Sequence, residues 1–305
     1  MGYEGVVLCG CTDMPSFVKK SNIAQATVDA VKAGCDMLLV LHATETQRLG
    51  IEAIYDAVQR EEIHRSEIYR ASGRISLLKD HSLSWKIALS PNPQILPSLM
   101  HDHQILARKV YEGAITVVRD EHCLLPLNLK LASTDVVLLL SPVVRPLHPT
   151  PEGELPIDPL EPLGRALARR HPRIKHAPYT LQGLTPLHVA LVKQSAAVIF
   201  VTVNALQSRH QEYQILMAEA VKRICGSKPF IALAGCDPYD LLSHRTFGTY
   251  LCTYEYSQAA LETAAAVIFG ERHAPGTLPV GTPGLPVRRQ QKQWFVEVWE
   301  KRKDL

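Results

Sequence analysis

The chain has 305 residues, 46% of them hydrophobic and 21% charged, with 33 basic side chains against 30 acidic ones. That length holds one large domain or two smaller ones. The near balance of charge, with no Lys/Arg block interleaved with aromatics, argues against nucleic acid as a partner.

No apolar run approaches the roughly 20 residues that cross a bilayer, so no membrane association is expected. The N-terminus lacks a basic stretch leading a long apolar core, so no secretory leader is expected either. Seven cysteines, an odd number scattered through the sequence, suit buried free thiols in a reducing compartment. A cytoplasmic location follows. Cys9-x-Cys11 has no second Cys/His pair at zinc-site spacing, so neither a metal nor another cofactor is expected.

In chain order, the opening stretch GYEGVVLCGCTDM reads as a short buried strand over residues 5–9 that runs into a loop at Gly10. Residues 21–33 carry apolar positions at helical spacing, with Ser21 or Asn22 placed as cap and Gly34 as terminator. A second buried strand follows over 36–41, then amphipathic helices over 47–59 and 66–78. Residues 81–97 hold three prolines and no clear period, and read as a linker in which Trp85 packs against a neighbour. A helix over 101–111 opens the second half, followed by a strand from 114 to 118.

Beyond it, strand patterns at 136–140, 197–203, 230–234 and 249–252 alternate with helical patterns at 160–170, 186–193, 212–224 and 257–269. Alternation of this kind implies a doubly wound, mostly parallel sheet with helices on both faces. The Pro-rich acidic segment 147–159 reads as a surface loop. The tail 281–305 carries a stripe of Trp294, Phe295, Val298 and Trp299, suited to a docking helix or a linker.

Several of these segments resemble family 3 glycoside hydrolases of the β-N-acetylglucosaminidase type. GYEGVVLCGCTDM is similar to that family's nucleophile strand, G-[FY]-[DE]-G-V-V-[IL]-S-D-x-x-x-M, with Gly2, Gly5, Val6, Val7 and Met14 in register. AVKAGCDMLLV resembles its last barrel strand. HQILARKVYEGAITVVRDEHCLLPL resembles the entry into its second domain, DPYDLL a later segment of that domain, and TYLCTYEYSQAALETAAAVIFGERHAPGTLPV its closing sequence.

The resemblance implies an α/β protein: residues 1–80 a remnant of the last two units of a (β/α) barrel, 81–99 a linker, 100–280 an αβα sandwich and 281–305 a tail. A whole barrel has eight units in about 250 residues. Two units cannot close one, which leaves strand edges for a homo-oligomer or another partner to cover.

A retaining glycosidase needs an acid/base and a carboxylate nucleophile about 5 Å apart. The resemblance places the family's nucleophile at Gly10, which has no side chain. It places the acid/base, a His-Asp dyad, on a barrel loop upstream of every residue here. Hydrolysis by this chain alone is therefore not expected. A sugar of the N-acetylglucosamine type, or another small molecule, remains the expected ligand class.

Asp13 is the nearest carboxylate, but its spacing suits a turn. Cys9 and Cys11 are stronger nucleophiles with no base in evidence, and His42 sits where the second strand ends. Asp237-Pro238-Tyr239-Asp240 resembles the family's P-Y-D segment, which implies the start of a helix after the strand, and Tyr250, Tyr254, Glu255 and Tyr256 suit core or capping roles, with a sugar-facing loop as the alternative. Alternatives are a sugar- or protein-binding module, an enzyme recruited to new chemistry at the former pocket, or a truncated gene product.

Overall fold

The computed structural model describes residues 2–11, 22–41, 44–90, 92–144, 158–180, 182–206, 212–242 and 244–279. It divides into two compact units, Met1–Ile95 and Leu96–Leu305.

In the first unit, β1 (Leu8–Cys11) pairs in parallel with β2 (Met37–Leu39). The register runs Leu8↔Met37, Cys9↔Leu38 and then Cys11↔Leu39, so Gly10 is the extra residue of a bulge. Between the strands lies α1 (Ile23–Lys32). The Asn22 side chain caps it by accepting from the Gln25 N–H at 2.9 Å. Gly34, at φ +96°, turns the chain out of it in a conformation that favours glycine.

Helix α2 (Thr44–Gln59) packs on α1. The two approach closely because Gly50 has no side chain: a Cβ there would lie 3.3 Å from Thr27 Oγ1. The core of this unit is small, with Val28, Ala57 and Ile63 at its centre. Helix α3 (Arg65–Ser82) buries no residue fully.

Two expectations fail here. The strands are not buried, since Leu8 is 54% and Met37 40% exposed. The stretch read as an aperiodic linker contains α4 (Trp85–Leu89) and the start of α5 (Ile95–Ala114), and Trp85 is 82% exposed rather than packed.

The second unit is a six-stranded sheet in the order β3-β8-β7-β6-β4-β5. Its strands are β3 (Thr116–Asp120), β4 (Val137–Pro142), β5 (Ile174–Tyr179), β6 (Ala197–Thr202), β7 (Phe230–Ala234) and β8 (Thr249–Cys252). All neighbours pair in parallel except β3, which runs antiparallel to β8. Helices α6 (Glu161–Ala168), α7 (Pro186–Gln194), α8 (Tyr213–Cys225) and α9 (Gln258–Ile268) cover the sheet.

Alternate residues of one strand feed opposite cores, as the two-residue pleat requires. Val137 and Leu139 join a core with α6 and α9, while Leu138 and Leu140 join the other with α8. The chain is thus an α/β protein with a mostly parallel sandwich sheet. Strand β5 was not foreseen: IKHAPY, with Lys175 and Pro178, lacks the apolar run of its neighbours because it is an edge strand. Residues 238–242 form turns rather than the helix expected after Asp237. Of the segment read as a surface loop, 147–157 lies outside the described residues, as does the tail 281–305.

Candidate functional site

At the end of β1, backbone pairing puts Cys9, Gly10 and Cys11 beside Leu38 and Leu39. Gly10 is exposed, and a Cβ built there meets nothing within 4 Å. Its φ is not in the left-handed region. Neither sterics nor backbone conformation therefore requires glycine at this bulge. Asp13 and His42 lie outside the described residues.

Cys9 and Cys11 are half-buried. The Cys35 thiol is pushed up by burial and then by the neighbouring Cys9 sulfur, opposite to the lowering that activates a thiol nucleophile. Only Cys225 and Cys252 of the seven cysteines are buried, and Cys123 is exposed, so the sequence reading of mostly buried thiols is corrected.

Asp36 is the one carboxylate of this unit whose side chain is buried among the described residues, at 1% exposure. It accepts from the Val7 N–H at 2.8 Å and from Arg74 at 3.2 Å. The Val7 hydrogen bond, ahead of Arg74, holds it below the usual carboxylate range. Asp36 thus stays ionised as a tie between β1, β2 and α3. It precedes β2, at the strand end opposite Gly10.

The sandwich holds polar clusters that sequence reasoning missed. Ser141 on β4 lies 2.7 Å from His176 Nε2 on β5, and Asp158 Oδ2 is 3.9 Å from the same nitrogen. In a hydrolytic relay the carboxylate orients the nitrogen that does not face the nucleophile. Here the other nitrogen faces Gly164, whose Cβ position is 3.2 Å from Nδ1. Ser141 is fully buried, and burial lowers the His176 pKa, against the pull of Asp158 and Glu161. This trio is a packed polar contact between two strands and the segment that leads into α6.

Asp240 is fully buried and accepts from the Ala205 N–H at 2.6 Å. Its Oδ2 makes no hydrogen bond of good geometry, although the Thr202 hydroxyl and Leu206 N–H lie near enough to favour the charged form. Burial outweighs them and pushes the carboxyl up to about 6. Asp240 thereby ties the segment after β6 to the turn after β7.

Tyr250 is buried and donates to the Pro238 carbonyl at 2.9 Å. The Tyr254 hydroxyl donates to Thr116 at 2.7 Å, and Glu255 accepts from Tyr111 at 2.6 Å. These are core and tethering roles. Between α5 and α9 runs a groove of about 720 Å³. Six of its seven charged side chains are paired: Arg169 and Arg170 with Glu262, Arg170 also with Glu271, and Arg272 with Glu112. No group of three or more metal-ligating side chains occurs among the described residues, nor does any helix long and apolar enough to cross a membrane.

No family model matches the sequence, and no curated protein does. Solved structures do. A fungal multi-domain GH3 β-N-acetylglucosaminidase, described with a GCN5-related glucosamine N-acetyltransferase region, matches 93% of this chain at 26% identity and a TM-score of 0.70. A family 3 β-N-acetylglucosaminidase from Paenibacillus sp. str. FPU-7 matches 94% at 27% identity and a TM-score of 0.64. A β-glucoside phosphorylase matches 91% at 16% identity and a TM-score of 0.58, a likeness of fold alone.

This chain spans 31% of the fungal structure and 52% of the Paenibacillus one. Over nearly its whole length, then, it resembles the C-terminal part of family 3 glycoside hydrolases of the β-N-acetylglucosaminidase type.

Proposed function

We propose that this chain is a non-hydrolytic relative of family 3 glycoside hydrolases, with the sandwich and two (β/α) units but without the nucleophile that cleaves a glycoside. The observation that carries the reading is Gly10. The resemblance puts the carboxylate that forms the glycosyl-enzyme bond at this position, in a bulge where a side chain would have room. The loss is one of chemistry and not of space.

Cleavage through a glycosyl-enzyme intermediate breaks the bond from the anomeric carbon to the leaving oxygen while a carboxylate oxygen bonds to that carbon. A hydrogen atom in place of the side chain offers no such oxygen. In a protease, removing the nucleophile costs on the order of 10⁶ in kcat. The acid/base is expected on a barrel loop upstream, so restoring one carboxylate restores one half of the pair. The role that remains is recognition of an N-acetylglucosamine-type sugar without turnover.

The test is hydrolysis of an aryl N-acetylglucosaminide by the purified chain and by Gly10→Asp. Neither should exceed the rate with no protein. Turnover by the unmodified chain that survives rigorous purification overturns the reading. Saturable N-acetylglucosamine binding in calorimetry supports the recognition role, and no binding at millimolar sugar removes that role.

A further inference from the structure

The groove of about 720 Å³ between α5 and α9 lies within the second unit. Where its lining is apolar it is alanine, Ala107 from α5 with Ala259 and Ala266 from α9, and side chains this small keep the space between the helices open. No aromatic side chain lines it among the described residues. A flat base or ring would find nothing to stack on, whereas a small hydrophilic molecule fits, since ligand cavities run from about 300 to about 1,000 Å³.

The polar lining is unevenly committed. Four guanidinium groups, on Arg108, Arg169, Arg170 and Arg272, meet three carboxylates, on Glu112, Glu262 and Glu271, a net +1. Every carboxylate is paired, but Arg108 makes no ion pair or hydrogen bond among the described residues. Gln104, one turn before it on the same face of α5, and Gln258, at the start of α9, line the groove with side-chain amides that are likewise unbonded there. Arg169 meets Glu262, and Arg272 meets Glu112, each through Nη2, which leaves other donors of the five that a guanidinium carries. Arg170 is the most buried of the four, its side chain 10% exposed, and its Nε has no acceptor.

We infer that this groove binds a small anionic monosaccharide, a sugar phosphate or a sugar acid, whose charged oxygens pair with Arg108 and whose hydroxyls bond the Gln104 and Gln258 amides. A guanidinium fork matches a phosphate or a carboxylate bidentately, and an amide both donates and accepts, as a hydroxyl requires. A cationic ligand would have to displace arginines that the three carboxylates already hold, whereas an anion takes the one cation still free. The groove belongs to the second unit and Gly10 to the first, so the inference stands apart from the proposed recognition of an N-acetylglucosamine-type sugar.

Calorimetry of the whole chain at low salt with glucose 6-phosphate, glucuronate and glucose tests it. At least one of the two anions should bind saturably and about tenfold more tightly than glucose, and salt at about 0.5 M should weaken it. The anion that binds more tightly names the source of the charge. Arg108→Met removes an exposed cation that holds nothing else among the described residues, and should weaken the anion about tenfold with an unchanged far-UV spectrum. Lys109→Met removes the same charge next door, outside the groove, and should leave the affinity as it was. Excess N-acetylglucosamine, which is neutral, should leave the anion bound; displacement would put both in one site and overturn the inference. No saturable binding of either anion at about 10 mM also overturns it. So does glucose binding as tightly as the anions, or a Lys109→Met effect equal to that of Arg108→Met, which would report net charge and not a site.

Discussion

Arg119 offers the sharpest test of how the sandwich is held. It stands on the antiparallel edge strand β3 at 6% exposure, where burial lowers its pKa, and its guanidinium makes no ion pair among the described residues. Instead it donates to four carbonyls: Leu242 at 2.7 Å, Leu241 at 3.0 Å, His244 at 3.1 Å and Phe247 at 3.2 Å. It also lies 5.3 Å from the Tyr250 ring centre. One side chain thus gathers the turn-rich segment between β7 and β8.

Arg119→Met keeps the stem and removes the fork. The Leu241 and His244 carbonyls keep a backbone partner, from the His244 and Phe247 N–H groups. The Leu242 and Phe247 carbonyls lose this donor inside the protein. Each buried acceptor left unpaired costs about 1–3 kcal/mol, and the sum is partly offset because a buried guanidinium without a carboxylate partner is itself costly to hold. The expected loss is about 3 kcal/mol. Urea unfolding followed by far-UV circular dichroism measures it, and hydrogen exchange of β3 and β8 amides shows where it falls. A loss under about 0.5 kcal/mol would mean that the segment holds itself and that the fork is ornamental.

Other outcomes follow from the same packing. Burial raises the Asp240 carboxyl from 3.8 to about 6, so the folded state holds a proton that the unfolded state has released between those values. The group's stability is therefore present below pH 4 and is lost as pH rises through 6. The difference is on the order of 3 kcal/mol. Asp240→Asn keeps an acceptor for the Ala205 N–H and should flatten the stability profile between pH 4 and 6 in chemical denaturation. Parallel profiles for the two proteins would show that the carboxyl is not the titrating group. Leu139→Ala empties a fully buried position on the interior strand β4 and should cost about 2–5 kcal/mol in urea unfolding; a cost below about 1 kcal/mol would mean that the two-layer core is looser than its burial shows. Asn22→Ala removes the side-chain cap of α1 and should cost about 1 kcal/mol, read as faster hydrogen exchange in α1 with the sandwich amides unchanged. Unchanged exchange in α1 would mean that the cap contributes nothing.

The parallel strands of the sandwich were legible because their sequences are continuously apolar, and a strand covered on both faces must be so. Ala197–Thr202 and Phe230–Ala234 are buried throughout. β5 was illegible for the converse reason: an edge strand with Lys175 exposed need not be apolar along its length. The first unit shows the limit of the rule. DMLLVL reads as a buried strand, yet Met37 is 40% exposed, because an apolar run records what a strand is able to bury and not whether a neighbour is there to bury it.

The site divides along the same line. Gly10 was visible in the sequence because a resemblance assigns a role to one position, and no folding is needed to see that the side chain is missing. His176, Ser141 and Asp158 were invisible, since they stand far apart in sequence and meet only when β4 and β5 pair. The resemblance puts Asp240 at a helix start, whereas the turn after β7 brings it to the Ala205 N–H as a buried acceptor. What the fold adds beside Gly10 is the empty space within 4 Å of its Cβ position. A strand that needed glycine would account for Gly10 by packing alone. A strand with room to spare tolerates the glycine and does not demand it.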